Sequence, residues 1–340
     1  GAFCCGQEPG LPRLNLFPTN RMNPTGGYGR AEIGIAHGLA AAGVDVRLAA
    51  PHWISFPDVP VLVTGYPTWA ETLPENTRLW SYTMSETDRV SPSWVDILNQ
   101  RYERVLVPCA ALVDVYRDSG VTIPIDDVGL PIDAFAPLFQ PRSWTPGETF
   151  TFLTYSLGDV RKGADLTMLA FNRCFRGDSR FRLVIKGPKE ESWLDGCVDD
   201  QVEVVRGTLA EAEWHALLNR AHAFVFASRG EGFGMPPREA TLAGLPTIAT
   251  EWLGLADVGE WGYPLPVRGL KRCYFDSYEA NADGARWAEP DDAALGALMR
   301  RIVEDYEAAA LVAQSGRDYL LRTYSCRQVG ENIRALLEEE

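Results

Sequence analysis

The chain has 340 residues, of which 46% are hydrophobic, and a formal net charge of −14 at pH 7. This length suffices for two domains with sizeable cores, and the acidic balance argues against nucleic-acid binding as the main activity and against docking on anionic lipid. No apolar run reaches the roughly 18 residues of a membrane-spanning helix and the N-terminus lacks the pattern of a signal peptide, so we expect a cytoplasmic protein that associates with membranes at most peripherally.

Short β-like runs alternate with helical stretches in the first part of the chain. We predict helices at residues 29–42, 92–99 and 110–119, and strands at residues 11–17, 44–49, 59–63, 79–83 and 104–107. This alternation is typical of a mainly parallel sheet with helices on both faces.

Residues 130–147 interrupt the alternation with four prolines and no periodicity, which indicates a linker between domains. The alternation then resumes. We predict strands at residues 150–155, 181–186, 202–205 and 223–227, and helices at residues 164–175, 211–220, 291–307 and 328–339. A second parallel sheet is therefore expected.

The most informative segment is Glu-Gly-Phe-Gly-Met-Pro-Pro-Arg-Glu, which follows a predicted strand and places Glu231 eight positions before Glu239. Its two prolines suit the first turn of a helix, where a missing N–H has no consequence. The free amides of Gly234 and Met235 would then point out of the helix N-terminus, which favours an anion. Such a loop can bind phosphate through amides and hydroxyl groups through carboxylates, and a nucleotide-sugar offers both.

Basic residues follow two neighbouring strands of the second predicted sheet. Arg161 and Lys162 precede Gly163, and Lys186 ends the next strand. Ligands bind at the carboxyl ends of strands in open α/β sheets, so these cations suit a diphosphate. We expect Arg161 and Lys162 on an exposed loop, where loss of one cation changes stability little.

A glycine loop, Gly-Gly-Tyr-Gly at residues 26–29, follows the first strand and opens a helix. Such a loop lets a ligand approach the backbone closely. It is not the dinucleotide fingerprint, because Glu32 stands where the third glycine belongs. An NAD-dependent oxidoreductase is therefore disfavoured.

Other residue types that often carry chemistry have no recognisable pattern. The four histidines lack metal-ligand spacing, no Asp-x-Asp follows an apolar strand, and no Cys-x-x-Cys occurs among the seven cysteines. We expect no metal site and reduced, mostly buried thiols, including adjacent Cys4 and Cys5. Tryptophans in the first half are more often core residues than sugar-binding surfaces, although one of them can be the latter: Trp53, Trp69, Trp80 and Trp94.

Taken together, these motifs resemble retaining glycosyltransferases of the two-Rossmann-domain (GT-B) type, the large bacterial family 4, or group 1, glycosyltransferases. Residues 231–239 match the E-x7-E signature of that family. The family's glycine loop corresponds to residues 26–29, its hinge to 128–133 and its diphosphate motif to 161–163. Its usual C-terminal segments correspond to residues 287–291 and 324–337.

The resemblance implies a fold with two Rossmann-like domains whose parallel sheets face a central cleft. We expect an acceptor domain at residues 1–134, a linker at 135–147, a nucleotide-sugar domain at 148–315, and a C-terminal helix within 316–340 that packs back on the first domain.

The resemblance also implies roles for individual residues. Glu239 would bind the ribose hydroxyls and Glu231 the donor sugar, while Lys162 would hold the diphosphate. The remaining donor contacts would come from the amides of Phe233, Gly234 and Met235, from Gly27, and from Arg161 or Lys186 as the second phosphate cation.

Many family members carry a histidine that faces the donor sugar. The corresponding segment here is Met-Ser-Glu-Thr-Asp at residues 84–88, in which Glu86 is the candidate for that place. Tyr28, in the glycine loop, is a second candidate for contact with sugar or acceptor.

The implied activity is metal-independent transfer of a sugar from a UDP- or GDP-linked donor to a glycan, lipid-linked or small-molecule acceptor, with retention by front-face attack and no further cofactor. Two alternatives stay open. One is a sugar-nucleotide epimerase or phosphorylase on the same architecture, and the other is a catalytically idle subunit that binds nucleotide-sugar. The sequence leaves the oligomeric state open.

Overall fold

The computed structural model describes residues 11–158, 160–190, 192–273 and 284–339, so Cys4 and Cys5 lie outside the described residues. The strands are β1 (Arg13–Pro18), β2 (Asp45–Leu48), β3 (Val61–Thr64), β4 (Leu79–Tyr82), β5 (Arg104–Val107), β6 (Ile125–Asp127), β7 (Phe150–Tyr155), β8 (Phe181–Gly187), β9 (Val202–Arg206), β10 (Ala223–Phe226), β11 (Thr247–Thr250), β12 (Tyr263–Leu265), β13 (Val267–Arg272) and β14 (Arg286–Pro290).

The α-helices lie mostly between the strands. They are α1 (Gly27–Ala41), α2 (Pro92–Arg101), α3 (Ala110–Ser119), α4 (Ala164–Phe175), α5 (Ser192–Asp195), α6 (Glu211–Arg220), α7 (Met235–Leu242), α8 (Asp292–Glu304), α9 (Tyr306–Thr323) and α10 (Cys326–Glu338).

Two six-stranded sheets organise the molecule. The first has the order β2-β1-β3-β4-β5-β6 and the second the order β12-β11-β10-β7-β8-β9. Every pair of neighbouring strands in both sheets is parallel, whereas β13 and β14 form a separate antiparallel pair. The predicted α/β class with two Rossmann-like sheets is confirmed.

The central strands are buried on both faces because helices cover the two sides of each sheet. In β3 and β4 every residue is buried, which explains why these strands read as continuous apolar runs rather than alternating ones. Trp80 and Trp94 are fully buried in the core of the first domain, as expected for most tryptophans there, but Trp53 and Trp69 are exposed.

Helix α10 packs on α1 of the first domain. A Cβ atom on Gly330 would overlap the carbonyl oxygen of Gly38, so the two helices touch backbone to backbone. The Arg334 guanidinium donates to the carbonyl oxygen of Ala42 at 2.8 Å. The chain therefore passes between the two domains twice, once before β7 and once before α10.

Two expectations from the sequence were wrong. The single helix predicted at residues 291–307 ends at Glu304, and a second helix, α9, starts at Tyr306 because the Asp305 side chain accepts a hydrogen bond from the Ala308 amide at 3.1 Å and caps it. The thiols are not mostly buried, because among the described cysteines Cys109 is buried and the others are partly exposed: Cys174, Cys197, Cys273 and Cys326.

Candidate functional site

The candidate site lies where the carboxyl ends of the two sheets face each other. Helix α1 follows β1 and brings Arg30 against Glu239 of the second domain. The segment after β4 brings Glu86 against Arg161, again from the opposite domain. The two domains therefore contact each other through side chains of opposite charge around the cleft.

The segment that the sequence singled out forms a loop followed by α7. Gly234 precedes the helix with φ +81°, and a side chain there would also press against Leu255, so both backbone conformation and space require glycine. The two prolines occupy the first turn, as predicted. Glu231 lies in the loop and Glu239 one turn inside the helix, and both are buried.

Glu231 sits in a cluster of donors. Its Oε1 atom lies 2.7 Å from Lys162 Nζ, 2.8 Å from Ser228 Oγ and 3.4 Å from Arg161 Nη1. Burial alone would raise the pKa of Glu231, but the two cations and the hydrogen bonds bring it below its ordinary value. Glu231 is therefore a carboxylate, held in place by charged neighbours.

Arg161 and Lys162 are buried, so the expectation of an exposed loop was wrong. Both side chains are at most 7% exposed. Gly163 explains the placement: it has φ +70°, and a Cβ atom there would overlap the carbonyl oxygen of Ala227, so the turn packs directly against the end of β10. Burial lowers the pKa of Lys162, although the adjacent Glu231 opposes that effect.

Glu239 has two neighbours that the sequence did not reveal. Trp214 Nε1 donates to Oε2 at 2.6 Å, and Arg30 Nη2 lies 2.8 Å from Oε1. Burial raises the pKa of Glu239, and Arg30 and the Trp214 hydrogen bond act against this rise. No local pattern marked Trp214 or Arg30, because each comes from an element distant in sequence.

The remaining cations lie on either side of Glu231. Arg161 Nη1 is 2.9 Å from Glu86 Oε1 and donates to the Gly230 carbonyl at 2.8 Å. Lys186 is buried, with Nζ 5.2 Å from the centre of the Tyr155 ring, and burial lowers the pKa of its ammonium group. Arg161 thus joins the two domains, whereas Lys186 lies against an aromatic ring.

Tyr155 places Lys186 near both signature glutamates. Burial raises the pKa of Tyr155 to about 12, and the charges of Glu231 and Glu239 contribute to the rise. Lys186 is in register with Tyr155 on the neighbouring strand, and a common cleft for Lys186 and Lys162 stays a prediction.

Phe233 and Met235 take different positions around the start of α7. Phe233 is buried, and its ring packs edge-on against Tyr324 with centroids 5.0 Å apart, whereas Met235 is partly exposed. The Phe233 side chain is therefore part of the core, and its carbonyl oxygen accepts a hydrogen bond from Arg238.

In the first domain, Gly27 is exposed, and a Cβ atom there would meet nothing within 4 Å. The ring of Tyr28 packs edge-on against Tyr66 with centroids 6.2 Å apart. The glycine that the fold requires in this loop is Gly29, where a side chain would overlap the Asn23 backbone.

Arg238 is a further buried cation within the signature, and sequence reasoning did not single it out. It is fully buried, with Nη2 2.6 Å from Asp257 Oδ1 and its guanidinium 3.9 Å from the centre of the Phe233 ring. The Tyr324 hydroxyl donates to the other oxygen of Asp257 at 2.9 Å. Arg238 therefore connects the signature loop to Asp257 inside the core.

The part of the chain that the structure describes contains no group of three or more His, Cys, Asp or Glu side chains that could hold a metal ion. Among the described helices, none combines the length and apolar character needed to cross a membrane.

Residues 150–271 match the protein family described as "Glycosyl transferases group 1". The mannosyltransferase WbdA of Escherichia coli, described as serotype-specific, is 25% identical over 214 residues, which are 59% of this chain and 24% of that protein. The chain thus spans about a quarter of the length of the curated relatives it matches.

Solved structures share the fold over nearly the whole chain. A sucrose-phosphate synthase from Thermosynechococcus elongatus has a TM-score of 0.70 at 15% identity, covering 96% of this chain and 98% of that one. Anabaena HepE in complex with UDP and glucose has a TM-score of 0.67 at 12% identity, covering 96% and 100%. The family match confirms the predicted resemblance to group 1 glycosyltransferases over residues 150–271, and the solved structures confirm the GT-B architecture. The family 4 assignment and the E-x7-E signature stay predictions.

Proposed function

We propose that this protein is a retaining glycosyltransferase that moves a hexose from a UDP- or GDP-linked donor to a glycan, lipid-linked or small-molecule acceptor. The observation that carries the proposal is the buried cluster in which Lys162 and Arg161 contact Glu231, in the loop before α7, while Glu239 lies one turn inside that helix. This cluster lies within the matched residues 150–271. The relative that transfers mannose and the neighbour that binds UDP support a nucleotide-sugar donor.

The arrangement suits departure of a nucleoside diphosphate. Negative charge grows on the leaving phosphate as the bond to the sugar breaks. Preorganised cations in a buried cleft stabilise such charge more strongly than the same cations in water. Lys162, Arg161 and the amides of Gly234 and Met235 at the start of α7 would supply this stabilisation, so transfer would need no metal.

The two signature glutamates take different parts in the proposal. Glu239 accepts a hydrogen bond from Trp214, an aromatic residue beside the cleft, which suits a carboxylate that holds ribose next to a base. Glu231 lies between the cations, which suits contact with the hydroxyls of the donor sugar close to the diphosphate. The amides of Gly234 and Met235, with Lys186 and Gly27, would complete the donor site, while Tyr28 and Glu86 would face the sugar or acceptor.

The domain organisation is part of the proposal. The first sheet ends at Asp127 and the second begins at Phe150, which supports an acceptor domain at residues 1–134, a linker at 135–147 and a donor domain at 148–315. The packing of α10 on α1 supports the return of a C-terminal helix within residues 316–340 to the first domain, although Gly316 itself packs against Trp261 of the second domain. Contact between the domains would exclude water from the donor and so limit hydrolysis.

Isothermal calorimetry with UDP and GDP, each with and without EDTA, tests the proposal. Binding of one nucleotide that persists on chelation supports it, and loss of all binding on chelation contradicts metal independence. Product analysis then separates the reaction types. Conversion of the donor without acceptor would indicate an epimerase, release of sugar to free phosphate a phosphorylase, and binding without turnover an idle subunit.

A further inference from the structure

Strand β14 uses its outer edge to contact both domains. Arg286 and Ala288 lie on this edge, because β13 pairs with the other side of the strand. The Ala288 amide donates to the Arg229 carbonyl at 2.8 Å, which ties the strand to the segment just before Glu231. An unpaired strand edge offers such backbone groups to whatever packs against it. The edge of β14 therefore reaches the donor site, and Arg286 lies two residues from that contact.

Arg286 forms the contact with the first domain. Its amide donates to Asp88 Oδ1 at 2.7 Å and its Nε atom donates to Asp88 Oδ2 at 2.8 Å, while the Asp88 amide donates to the Arg286 carbonyl at 3.0 Å. Arg89 is another cation beside Asp88, but its Nε atom is 3.7 Å from Oδ1, too far for a hydrogen bond. Three hydrogen bonds to one residue of the opposite domain therefore fix the position of Asp88.

Asp88 ends the segment that carries Glu86. Ser85 and Thr87 of this segment are buried, and the Thr87 amide donates to Ser85 Oγ at 3.3 Å, so the segment forms a compact turn. Glu86 Oε1 lies 2.9 Å from Arg161 Nη1 of the second domain. Because the turn is compact, the position of Asp88 determines the position of Glu86 two residues earlier.

The turn at Glu86 packs closely against the loop before α7. A Cβ atom on Gly230 would overlap the carbonyl oxygen of Glu86, and a Cβ atom on Gly232 would lie 2.6 Å from the Met84 side chain. The two glycines thus let the first domain touch the backbone of this loop. A displacement of residues 84–88 would change the distance between Glu86 and Arg161, which is one of the cations proposed to stabilise the leaving phosphate.

We infer that Arg286 is a positioning residue of the donor site: it holds Asp88, and through Asp88 it keeps Glu86 against Arg161. The inference rests on the proposed transferase function and adds to it a residue that acts through its neighbours. Stabilisation of a leaving group depends on the geometry of the groups that supply it. Loss of Arg286 should therefore slow turnover without weakening the binding of nucleotide, whose proposed contacts come mostly from the second domain.

The same pair of strands supplies a matched control. Arg268 in β13 pairs with Asp292 at 3.0 Å, and these side chains are 52% and 16% exposed, close to 50% and 13% for Arg286 and Asp88. The Arg268 pair lies within the second domain, whereas the Arg286 pair joins the two domains. Arg268→Met and Arg286→Met thus remove equally exposed cations, and both variants should fold. Of the two, Arg286→Met alone breaks a contact between domains.

A buried thiol reports on the contact between the domains independently of activity. Cys109, before α3 of the first domain, is 9% exposed, and its Sγ atom lies 4.0 Å from the carbonyl oxygens of Gly232 and Leu253 in the second domain. Cys197 of the second domain is partly exposed and serves as the internal reference. Alkylation by iodoacetamide, followed for each cysteine by peptide mass spectrometry, measures how often the domains separate.

We expect Arg286→Met to raise the alkylation rate of Cys109 about fivefold, the effect on an equilibrium of losing one partly exposed ion pair. Asp88→Ala should raise it further, since it also removes the hydrogen bond from the Arg286 amide, and Arg286→Lys should raise it less because it keeps the charge. Arg268→Met should match the parent protein, and Cys197 should react at one rate in all variants. Equal Cys109 rates in Arg286→Met and Arg268→Met overturn the inference.

Release of UDP from UDP-glucose, or of GDP from GDP-mannose, tests the effect on the reaction. Arg286→Met should lower kcat by a similar factor and leave both KM and the affinity for UDP or GDP unchanged, while Arg268→Met should behave as the parent protein. A rise in KM at unchanged kcat overturns the inference, because Arg286 would then contribute to binding rather than to the geometry of the transition state.

The two measurements distinguish this inference from the proposed function. If the parent protein releases nucleotide from either donor and Arg286→Met does so with the same kcat, the inference fails and the proposed transferase stands. If the parent protein binds neither UDP nor GDP, the proposed transferase fails and the inference fails with it, even where the alkylation of Cys109 depends on Arg286.

Discussion

Arg30 of the first domain forms an ion pair with Glu239 of the second, with Nη2 and Oε1 2.8 Å apart and side-chain exposures of 17% and 4%. The carboxylate proposed to hold ribose is therefore in contact with a cation from the opposite domain. A nucleotide that uses the same oxygen atom would have to share it with Arg30 or displace Arg30. Donor entry and separation of the domains are then coupled.

Removing this cation should destabilise the closed arrangement. Arg30→Met leaves the buried Glu239 without its countercharge, and breaking one partner of a buried pair typically costs about 3–5 kcal/mol. We expect a lower unfolding free energy in urea and a larger radius of gyration by X-ray scattering. Arg78→Met is the control, because Arg78 and Glu103 form a half-exposed pair that should contribute under about 1 kcal/mol.

A double-mutant cycle separates the ion pair from the packing of Arg30. Arg30→Met combined with Glu239→Gln should recover much of the lost stability, since no charge is left unpaired. If the double variant is as unstable as the sum of the two single variants, the pair is not what joins the domains.

Lys162→Ala should lower both activity and stability. Loss of one preorganised charge stabiliser typically reduces kcat by about 10²-fold, and Lys162→Arg should rescue only partly because a planar fork differs from a point charge. Since Lys162 is buried against Glu231, its removal should also reduce the unfolding free energy by about 3 kcal/mol. Transfer rates are measured well below the melting temperature. A variant that transfers at the parent rate would exclude Lys162 as the phosphate ligand.

The stability effect of Lys162→Ala should depend on pH. The folded-state pKa of Glu231 lies below its ordinary value because the adjacent cations outweigh burial. A lowered pKa stabilises the fold above the unfolded-state value, about 4.3, and that contribution is lost as the pH falls through the folded-state pKa. The difference in melting temperature between parent and variant should thus be largest near neutral pH and shrink below about pH 4. A constant difference across this range would show that Glu231 is not the coupled group.

Alanine substitutions at Glu239 and Glu231 should differ in their effects on nucleotide affinity. Glu239→Ala should weaken binding of free UDP or GDP, because ribose is present in nucleotide and nucleotide-sugar alike. Glu231→Ala should spare free nucleotide and reduce transfer about tenfold or more, equivalent to about 1.4 kcal/mol in the barrier. Calorimetry and initial rates provide the two measurements. Equal losses of nucleotide affinity would contradict the proposed division of roles.

Gly163→Ala should disrupt the donor domain more than an alanine at another left-handed glycine. Both Gly163 (φ +70°) and Gly177 (φ +85°) have positive φ, but only at Gly163 would the new Cβ overlap a backbone carbonyl, that of Ala227. We expect Gly177→Ala to lose about 1 kcal/mol and Gly163→Ala several times more, measured by urea unfolding. Similar losses at both positions would refute the contact with Ala227.

Local patterns were sufficient for much of the fold and for the signature loop. Helix α4 was predicted with both its ends correct, because a glycine with a special backbone conformation precedes its regular apolar spacing. The loop at Gly234 was predicted from glycines and prolines, whose backbone preferences act within a few residues. The start of α9 was missed because one capping aspartate, Asp305, divides an otherwise continuous helical pattern.

The features of the site that local patterns did not predict depend on contacts between residues distant in sequence. The sequence around Lys162, with its arginine and glycine neighbours, predicted an exposed side chain. In the structure Lys162 is buried because it pairs with Glu231, which lies 69 positions away in the chain. Arg30 and Trp214 approach Glu239 from two different elements, and only the folded chain brings the three together. The charge and burial of such groups are set by tertiary structure, which periodicity does not encode.

The backbone contact between Gly38 in α1 and Gly330 in α10 also bears on the order of events during synthesis. Nearly 300 residues separate the two glycines along the chain. The first domain therefore lacks the helix that packs on α1 until residues 326–338 have left the ribosome. Domains usually fold in the order in which they emerge from the ribosome. Here the surface of α1 stays uncovered until α10 has been synthesised. The second domain is complete before the first one can be.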